Sequence, residues 1–156
     1  MGQSKGVATI PSTSRTTRIL LAYNGSKLSQ AALQTVIEQY RPQHTEIRVL
    51  YAVSVEMWDD HGKQAQELAD RAGRALRAAG FKVETEVLTG AVSDAIVDAA
   101  ESWRADLIVL GWHGRKALRR FLFGSIADAV THQAPCSVEL VRIRPGIESL
   151  AMATPA

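Results

Sequence analysis

The 156-residue chain has a single cysteine, Cys136. An internal disulfide framework and a multi-cysteine zinc site are therefore both excluded. No run approaches the roughly 18 apolar residues that a membrane helix needs. No segment repeats at a fixed period, which argues against solenoids and propellers. Neither sign of charge dominates: 18 Lys and Arg stand against 16 Asp and Glu, for a net charge of +2. A total that small does not by itself indicate nucleic acid. Apolar residues make up 46% and charged residues 22%, the balance of an ordinary folded domain rather than a disordered tail or a fibrous repeat.

The ends differ from the middle. Residues 1–17 are rich in Ser, Thr and Gly and have no apolar period. They read as a disordered arm, and no apolar core follows Lys5 to make a secretory signal. Residues 145–156 follow a Pro-Gly breaker and read as a tail. One folded domain is expected over residues 18–144.

Inside it, strand and helix patterns alternate. Ile19 to Tyr23 is a short apolar run closed by Asn24-Gly25. Leu33, Val36, Ile37 and Tyr40 form a helical stripe that ends before Pro42. Ile47 to Val53 is a second strand, and residues 54–62 read as a loop. Ala65, Leu68, Ala69, Ala72, Leu76 and Ala79 make a long stripe closed by Gly80. Phe81 to Leu88 alternates, with Lys82, Glu84 and Glu86 on the outer face. Val92, Ala95, Ile96, Ala99 and Trp103 mark a third helix, and Leu107 to Leu110 a fourth strand. Ser125 with Asp128 suits a capping box for a fourth helix, which Pro135 ends. The last strand is expected from Val138 to Ile143.

This alternation predicts an α/β fold: a five-stranded parallel open sheet with helices on both faces. Strands one and four are continuous apolar runs, as expected of central strands, whereas three and five are mixed, as expected of edges. The order 3-2-1-4-5 satisfies both. Its winding reverses between strands one and four, and ligands of open α/β sheets bind outside the carboxyl ends at such a reversal.

The chain puts glycines there. Segment 111–125 reads GWHGRKALRRFLFGS. Glycines let backbone N–H groups approach an anion, and a helix start adds unpaired donors. Arg115, Lys116, Arg119 and Arg120 bring four positive charges, so the remainder of the chain sums to −2. The combination suits a polyphosphate, although turn and helix-entry glycines alone would explain the spacing. Neither G-x-G-x-x-G nor the Walker pattern is present.

Gly111, Gly114, Gly124 and Ser125, spaced G-x2-G-x9-G-S, resemble the ATP-binding signature of the universal stress protein family. The stretches 18–33, 105–115 and 124–142 resemble the family as well. The resemblance implies an adenine nucleotide alpha hydrolase-like fold and a cytoplasmic ATP-binding stress sensor or regulator; AMP or ADP are further candidate ligands. It places phosphates at Gly111, Gly114, Gly124, Ser125 and the backbone of Ile126. Adenine and ribose would lie near Ala22, Asn24, Ala52 and Leu110. It also implies a homodimer through the last strand.

Several residues depart from the family pattern or stay open. Asn24 stands where the family usually has Asp, so it keeps a carbonyl acceptor but loses charge, and Mg²⁺ should bind more weakly. Tyr23 and Trp112 are bulky beside the site and could occlude it; Ala117 replaces a loop glycine. His113 could contact phosphate or stand exposed, and Arg115 is a further phosphate candidate. Arg119 and Arg120 read as a solvated face, and Phe121 and Phe123 as packing or interface residues. Cys136 reads as a structural thiol. Asp59, Asp60 and His61 read as a solvated loop or helix start rather than a metal cluster.

No nucleophile–base–orienter set and no paired carboxylates flank the glycines, so no catalytic residue is assigned. The alternatives are a dimeric interaction module that binds no nucleotide, or a slow ATP hydrolase. A nucleic-acid or membrane partner is not expected.

Overall fold

The computed structural model describes residues 15–112 and 126–143. These form five parallel strands and four α-helices. The strands are β1 (Thr17–Ala22), β2 (Thr45–Val53), β3 (Lys82–Thr89), β4 (Leu107–Trp112) and β5 (Ser137–Arg142). The helices are α1 (Lys27–Gln39), α2 (Trp58–Ala78), α3 (Val92–Trp103) and α4 (Ile126–Gln133). The sheet order is β3-β2-β1-β4-β5, as the apolar patterns predict.

Alternation along each strand sorts the core into two layers. Ile19, Leu21, Ile47, Val49 and Val109 pack with Ala32 and Val36 of α1 and with Ala72 and Leu76 of α2. Leu20, Leu50, Ile108 and Leu110 pack with Ile96 and Ala99 of α3 and with Ala127 and Val130 of α4. β1 and β4 feed both layers, which is why both read as unbroken apolar runs. The register sets Leu20 beside Ile108 and Leu21 beside Val109.

Three boundaries differ from the sequence expectation. β1 begins at Thr17, inside the expected arm, and Arg15 forms an ion pair with Asp106. Residues 54–62 are not all loop. A 3-10 turn spans Val55–Met57, and α2 starts at Trp58. Met57 caps α2 without a side-chain hydrogen bond, so the usual polar start signal is missing. At the fourth helix Asp128 lies in the first turn, whereas its expected capping partner Ser125 lies outside the described residues. The expected tail, residues 145–156, lies outside them too.

One polar contact ties α1 to the edge strand β5. The Tyr40 hydroxyl donates to Oε2 of Glu139 at 2.7 Å. Burial first, then the hydrogen bond and charge of Glu139, push the Tyr40 phenol from 10.0 up to about 12. The neutral phenol is the form the fold favours. This contribution is therefore whole below pH 10 and lost as pH rises through about 12. A near-ultraviolet titration should show Tyr40 ionising late, and Glu139→Gln should bring it back toward 10. A tyrosine transition that Glu139→Gln leaves in place would contradict the contact.

Candidate functional site

The site is built where β1 and β4 end side by side. β1 ends at Ala22, and the Tyr23 N–H carries the ladder one step further to the Leu50 carbonyl at 2.9 Å. Being next along the strand, Tyr23 points to the opposite layer from Ala22. It is 6% exposed and packs in the α1/α2 layer. Tyr23 is thus core and does not occlude the opening. Burial raises its phenol pKa, with the Arg71 charge opposing. Trp112 is half-buried against the α3/α4 layer, in company with Ala22, Leu88 and Val92.

The turn from β1 to α1 is a closed polar knot. The Ser29 hydroxyl oxygen accepts the Asn24 N–H at 3.3 Å. The Asn24 side-chain carbonyl accepts the Ser26 N–H at 3.0 Å. Ser26 Oγ caps α1 by accepting the Ser29 N–H at 3.2 Å, and Ser29 Oγ donates to the Ser26 carbonyl at 3.0 Å. Gly25 between them has φ +79, a left-handed conformation that glycine adopts without a Cβ clash. One lone pair of the Asn24 side-chain carbonyl is therefore used by the turn. Its amide NH₂ adds a donor that the turn does not use. Ser26 and Ser29 escaped the sequence reading, although S-x-x-S just before the apolar stripe is a capping signal.

Across from this turn, β4 passes very close to α1. A Cβ on Gly111 would lie 2.6 Å from the carbonyl carbon of Leu28, 2.7 Å from its Cβ, and nearer still to its carbonyl oxygen. Only a glycine lets the first turn of α1 seat against the β4 exit. Leu110 before it is buried.

The register gathers the other expected residues. Ala22 lies beside Leu50, two residues before Ala52 on β2. Ala22, Asn24, Ala52, Leu110 and Gly111 thus share the carboxyl ends of three neighbouring strands, and Ile126 opens α4 there, partly exposed. Gly114, Gly124, Ser125, His113 and Arg115 lie outside the described residues. Beyond Ala52 an open hollow of about 470 Å³ is lined by Val55, Trp58, Asp59, Val87, Leu88 and Thr89. The sequence reading missed it, because it took this stretch as a plain loop.

Other candidates resolve simply. Cys136 is half-buried and packs against the α3/α4 layer. Burial, then the Asp106 charge, raise its pKa, which keeps it a thiol. Asp59 and Asp60 lie exposed in the first turn of α2, where acids suit the helix dipole. No group of three or more His, Cys, Asp or Glu that could hold a metal occurs among the described residues. No described helix is long and apolar enough to cross a membrane.

The sheet order and the reversal at β1 and β4 are those of an α/β protein with the adenine nucleotide alpha hydrolase-like fold. The sequence model of the Universal stress protein family matches residues 15–142. The chain belongs to that family. A universal stress protein of Methanocaldococcus jannaschii is 30% identical over 138 residues, covering 80% of this chain and 81% of its own length. Among solved structures, an Arabidopsis thaliana family member with AMP bound is 19% identical with a TM-score of 0.68, covering 83% of this chain and 93% of its own. An Archaeoglobus fulgidus universal stress protein in complex with dAMP is 24% identical with a TM-score of 0.65, covering 81% of this chain and 97% of its own. At such identities these two structures speak for the fold.

Proposed function

We propose that this protein binds an adenine nucleotide across the carboxyl ends of β2, β1 and β4 and uses it to regulate contacts with other proteins. The observation that carries the reading is the close seat of α1 on Gly111. Beside it, strand register brings the small or neutral residues Ala22, Asn24, Ala52 and Gly111 to the end of the sheet where its winding reverses. Ligands of open α/β sheets bind there. The start of α4 and the basic segment 113–125 supply the attraction for phosphate. The solved relatives with AMP and dAMP support the choice of base.

ATP, ADP and AMP all fit this chemistry. Asn24 brings no charge, so Mg²⁺ gains little here. A regulated contact would come from two copies pairing along β5, an edge strand with half-buried Val138 and Leu140. The action expected is that of a cytoplasmic sensor. The motive for an interaction module without a nucleotide weakens, because Tyr23 packs inside the core.

Calorimetric titration with ATP and AMP, with and without Mg²⁺, tests the reading. Binding should be measurable below millimolar ligand and nearly unchanged by the metal. At 100 times Kd the fold should gain about 2.7 kcal/mol. That corresponds to a melting shift of roughly 5–10 °C for a chain of this size. Gly124→Asp, which puts a carboxylate into the anion-binding segment, should abolish the shift. Flat titrations with every adenine nucleotide would overturn the proposal.

A further inference from the structure

The large apolar side chains most exposed among the described residues are, Ile126 apart, confined to one short run. Val55 is 67%, Met57 45% and Trp58 42% exposed. The run joins β2 to α2, and every residue from Val55 to Asp60 is exposed. Single exposed apolar side chains are ordinary, but a contiguous group rimmed by polar residues marks a surface that another molecule covers.

The run has a fixed shape. The Trp58 N–H closes a 3-10 turn onto the Val55 carbonyl. In that geometry residues three apart stack, so Trp58 stands over Val55. Val87 and Leu88 of β3 continue the apolar wall that these two begin. The indole also rests on its own helix: a Cβ on Gly62 would stand 3.1 Å from its Cδ2 and 3.2 Å from Cε2 and Cε3. A ring braced in this way offers contact area with little ordering cost on binding.

Charge states the kind of partner. Glu56 lies between Val55 and Met57, and Asp59 and Asp60 follow Trp58, so residues 55–60 carry three acids and no base. In the sheet, Glu46, Glu84 and Glu86 are paired with Arg18, Lys82 or Arg48. Glu56, Asp59 and Asp60 have no ion pair among the described residues. The helix dipole accounts for the two aspartates but not for the apolar side chains beside them. A second copy set on this face by a two-fold axis would bring acids against acids. Nucleic acid and anionic lipid would be repelled as well.

We propose that residues 55–60 form a docking surface for another protein that presents a basic amphipathic segment. Its apolar side chains would cover Val55, Met57 and Trp58, and its Lys or Arg would meet Glu56, Asp59 and Asp60. The surface gives the regulated contact of the reading above a place and a chemistry, and for that role it rests on the reading. The docking itself needs no nucleotide.

The test uses the full chain without nucleotide and three fluorescent peptides of one length. One carries Leu and Lys at amphipathic helical spacing, one has Glu in place of Lys, and one is oligolysine. Anisotropy should show the Leu–Lys peptide binding about tenfold tighter than either of the others, since it alone offers both chemistries. Val55→Ser with Met57→Ser should weaken it about tenfold while leaving the melting temperature within about 2 °C, because both are surface substitutions. Glu56→Gln, Asp59→Asn and Asp60→Asn together should erase its advantage over the Leu–Glu peptide. No binding of the Leu–Lys peptide, equal binding of the Leu–Glu peptide or oligolysine, or binding that neither variant changes would overturn the proposal. Self-association of the chain, or its binding to phosphatidylserine vesicles, lost in the Val55→Ser, Met57→Ser variant would overturn it too, by giving this face to a second copy or to a membrane. Failure here with an intact AMP titration would leave the nucleotide reading standing. Selective peptide binding with a flat AMP titration would do the reverse.

Discussion

Gly111→Ala should be the most damaging single-methyl change in the described part of the chain. Its new carbon would overlap the carbonyl group of Leu28, which is backbone and cannot rotate away. The first turn of α1 would have to lift off β4. Overpacking against side chains usually costs 1–3 kcal/mol, so a fixed backbone obstacle should cost about 3 kcal/mol or more. For a chain of this length the melting temperature should drop by roughly 6–12 °C. Nucleotide binding should fall with it, because the Asn24–Ser29 knot moves with the start of α1.

Two companion variants separate this cause from a general intolerance of side chains. Gly25→Ala should cost only about 1–2 kcal/mol, the penalty of a left-handed backbone for an ordinary residue. Its nearest neighbour is the end of the Leu68 side chain at 3.0 Å, which can turn aside. Leu28→Ala added to Gly111→Ala should restore nothing, since the carbonyl and Cβ of residue 28 both remain. Recovery of the melting temperature in that double variant would show that the Leu28 side chain beyond Cβ was in the way. A shift of under about 2 °C for Gly111→Ala alone would remove the claim that this glycine seats α1.

Much of the fold was legible because burial leaves a periodic trace. Ile19 to Ala22 of β1 and Leu107 to Leu110 of β4 lie between two apolar layers, so both stretches are unbroken apolar runs and both strands read as central. β3 and β5 lie at the edges and mix charged with apolar residues. The order followed from that contrast. What stayed hidden was of another kind. The start of α2 has acids, a glycine and no side-chain cap, so Trp58 to Gly62 resembled a loop. That glycine serves Trp58, a contact that periodicity does not reveal. Tyr23 was misplaced because the strand alternation continues one residue past Ala22 and turns it inward. Asn24 reads from sequence as a carbonyl acceptor without the charge of Asp, and the local partner of that carbonyl, the Ser26 N–H, shows only in the structure. Ala22, Ala52 and Gly111 could be located because strand register brings them to one end. The spatial reason for Gly111, by contrast, lies in a helix far from it in the sequence.

The second large effect is expected at Arg48, in a charged ladder that strand register assembles. On the face turned toward α3, the amino-end halves of β1, β2 and β3 carry Arg18, Glu46, Arg48, Lys82, Glu84 and Glu86. The Arg48 guanidinium is 2.6 Å from Glu84 and 3.5 Å from Glu86, and it lies 4.8 Å from the Trp103 ring centre. Arg48→Met would strand the half-buried Glu86 carboxylate, set it against Glu84 two residues away, and remove the cation from the indole. Breaking a buried pair costs about 3–5 kcal/mol and an exposed one little, so about 2 kcal/mol is expected at this partly open site. Arg48→Lys should recover only part, because an ammonium cannot stack flat and fork toward two acids. The hydrogen bond and charge of Arg48 hold the Glu84 carboxyl below its usual 4.5. A depressed carboxyl stabilises the fold above its unfolded pKa, and that contribution is lost as pH falls through the folded value. The part of the Arg48→Met cost that comes from Glu84 should therefore shrink as pH falls from neutral to about 3, where Glu84 protonates and the parent chain loses that pairing too. Adding Glu84→Gln and Glu86→Gln should recover most of the loss at neutral pH, since no charge is then left unpaired. Denaturant unfolding of the single and triple variants at both pH values measures this. An equal cost at the two, with no recovery in the triple variant, would assign the role of Arg48 to its packing on Trp103 alone.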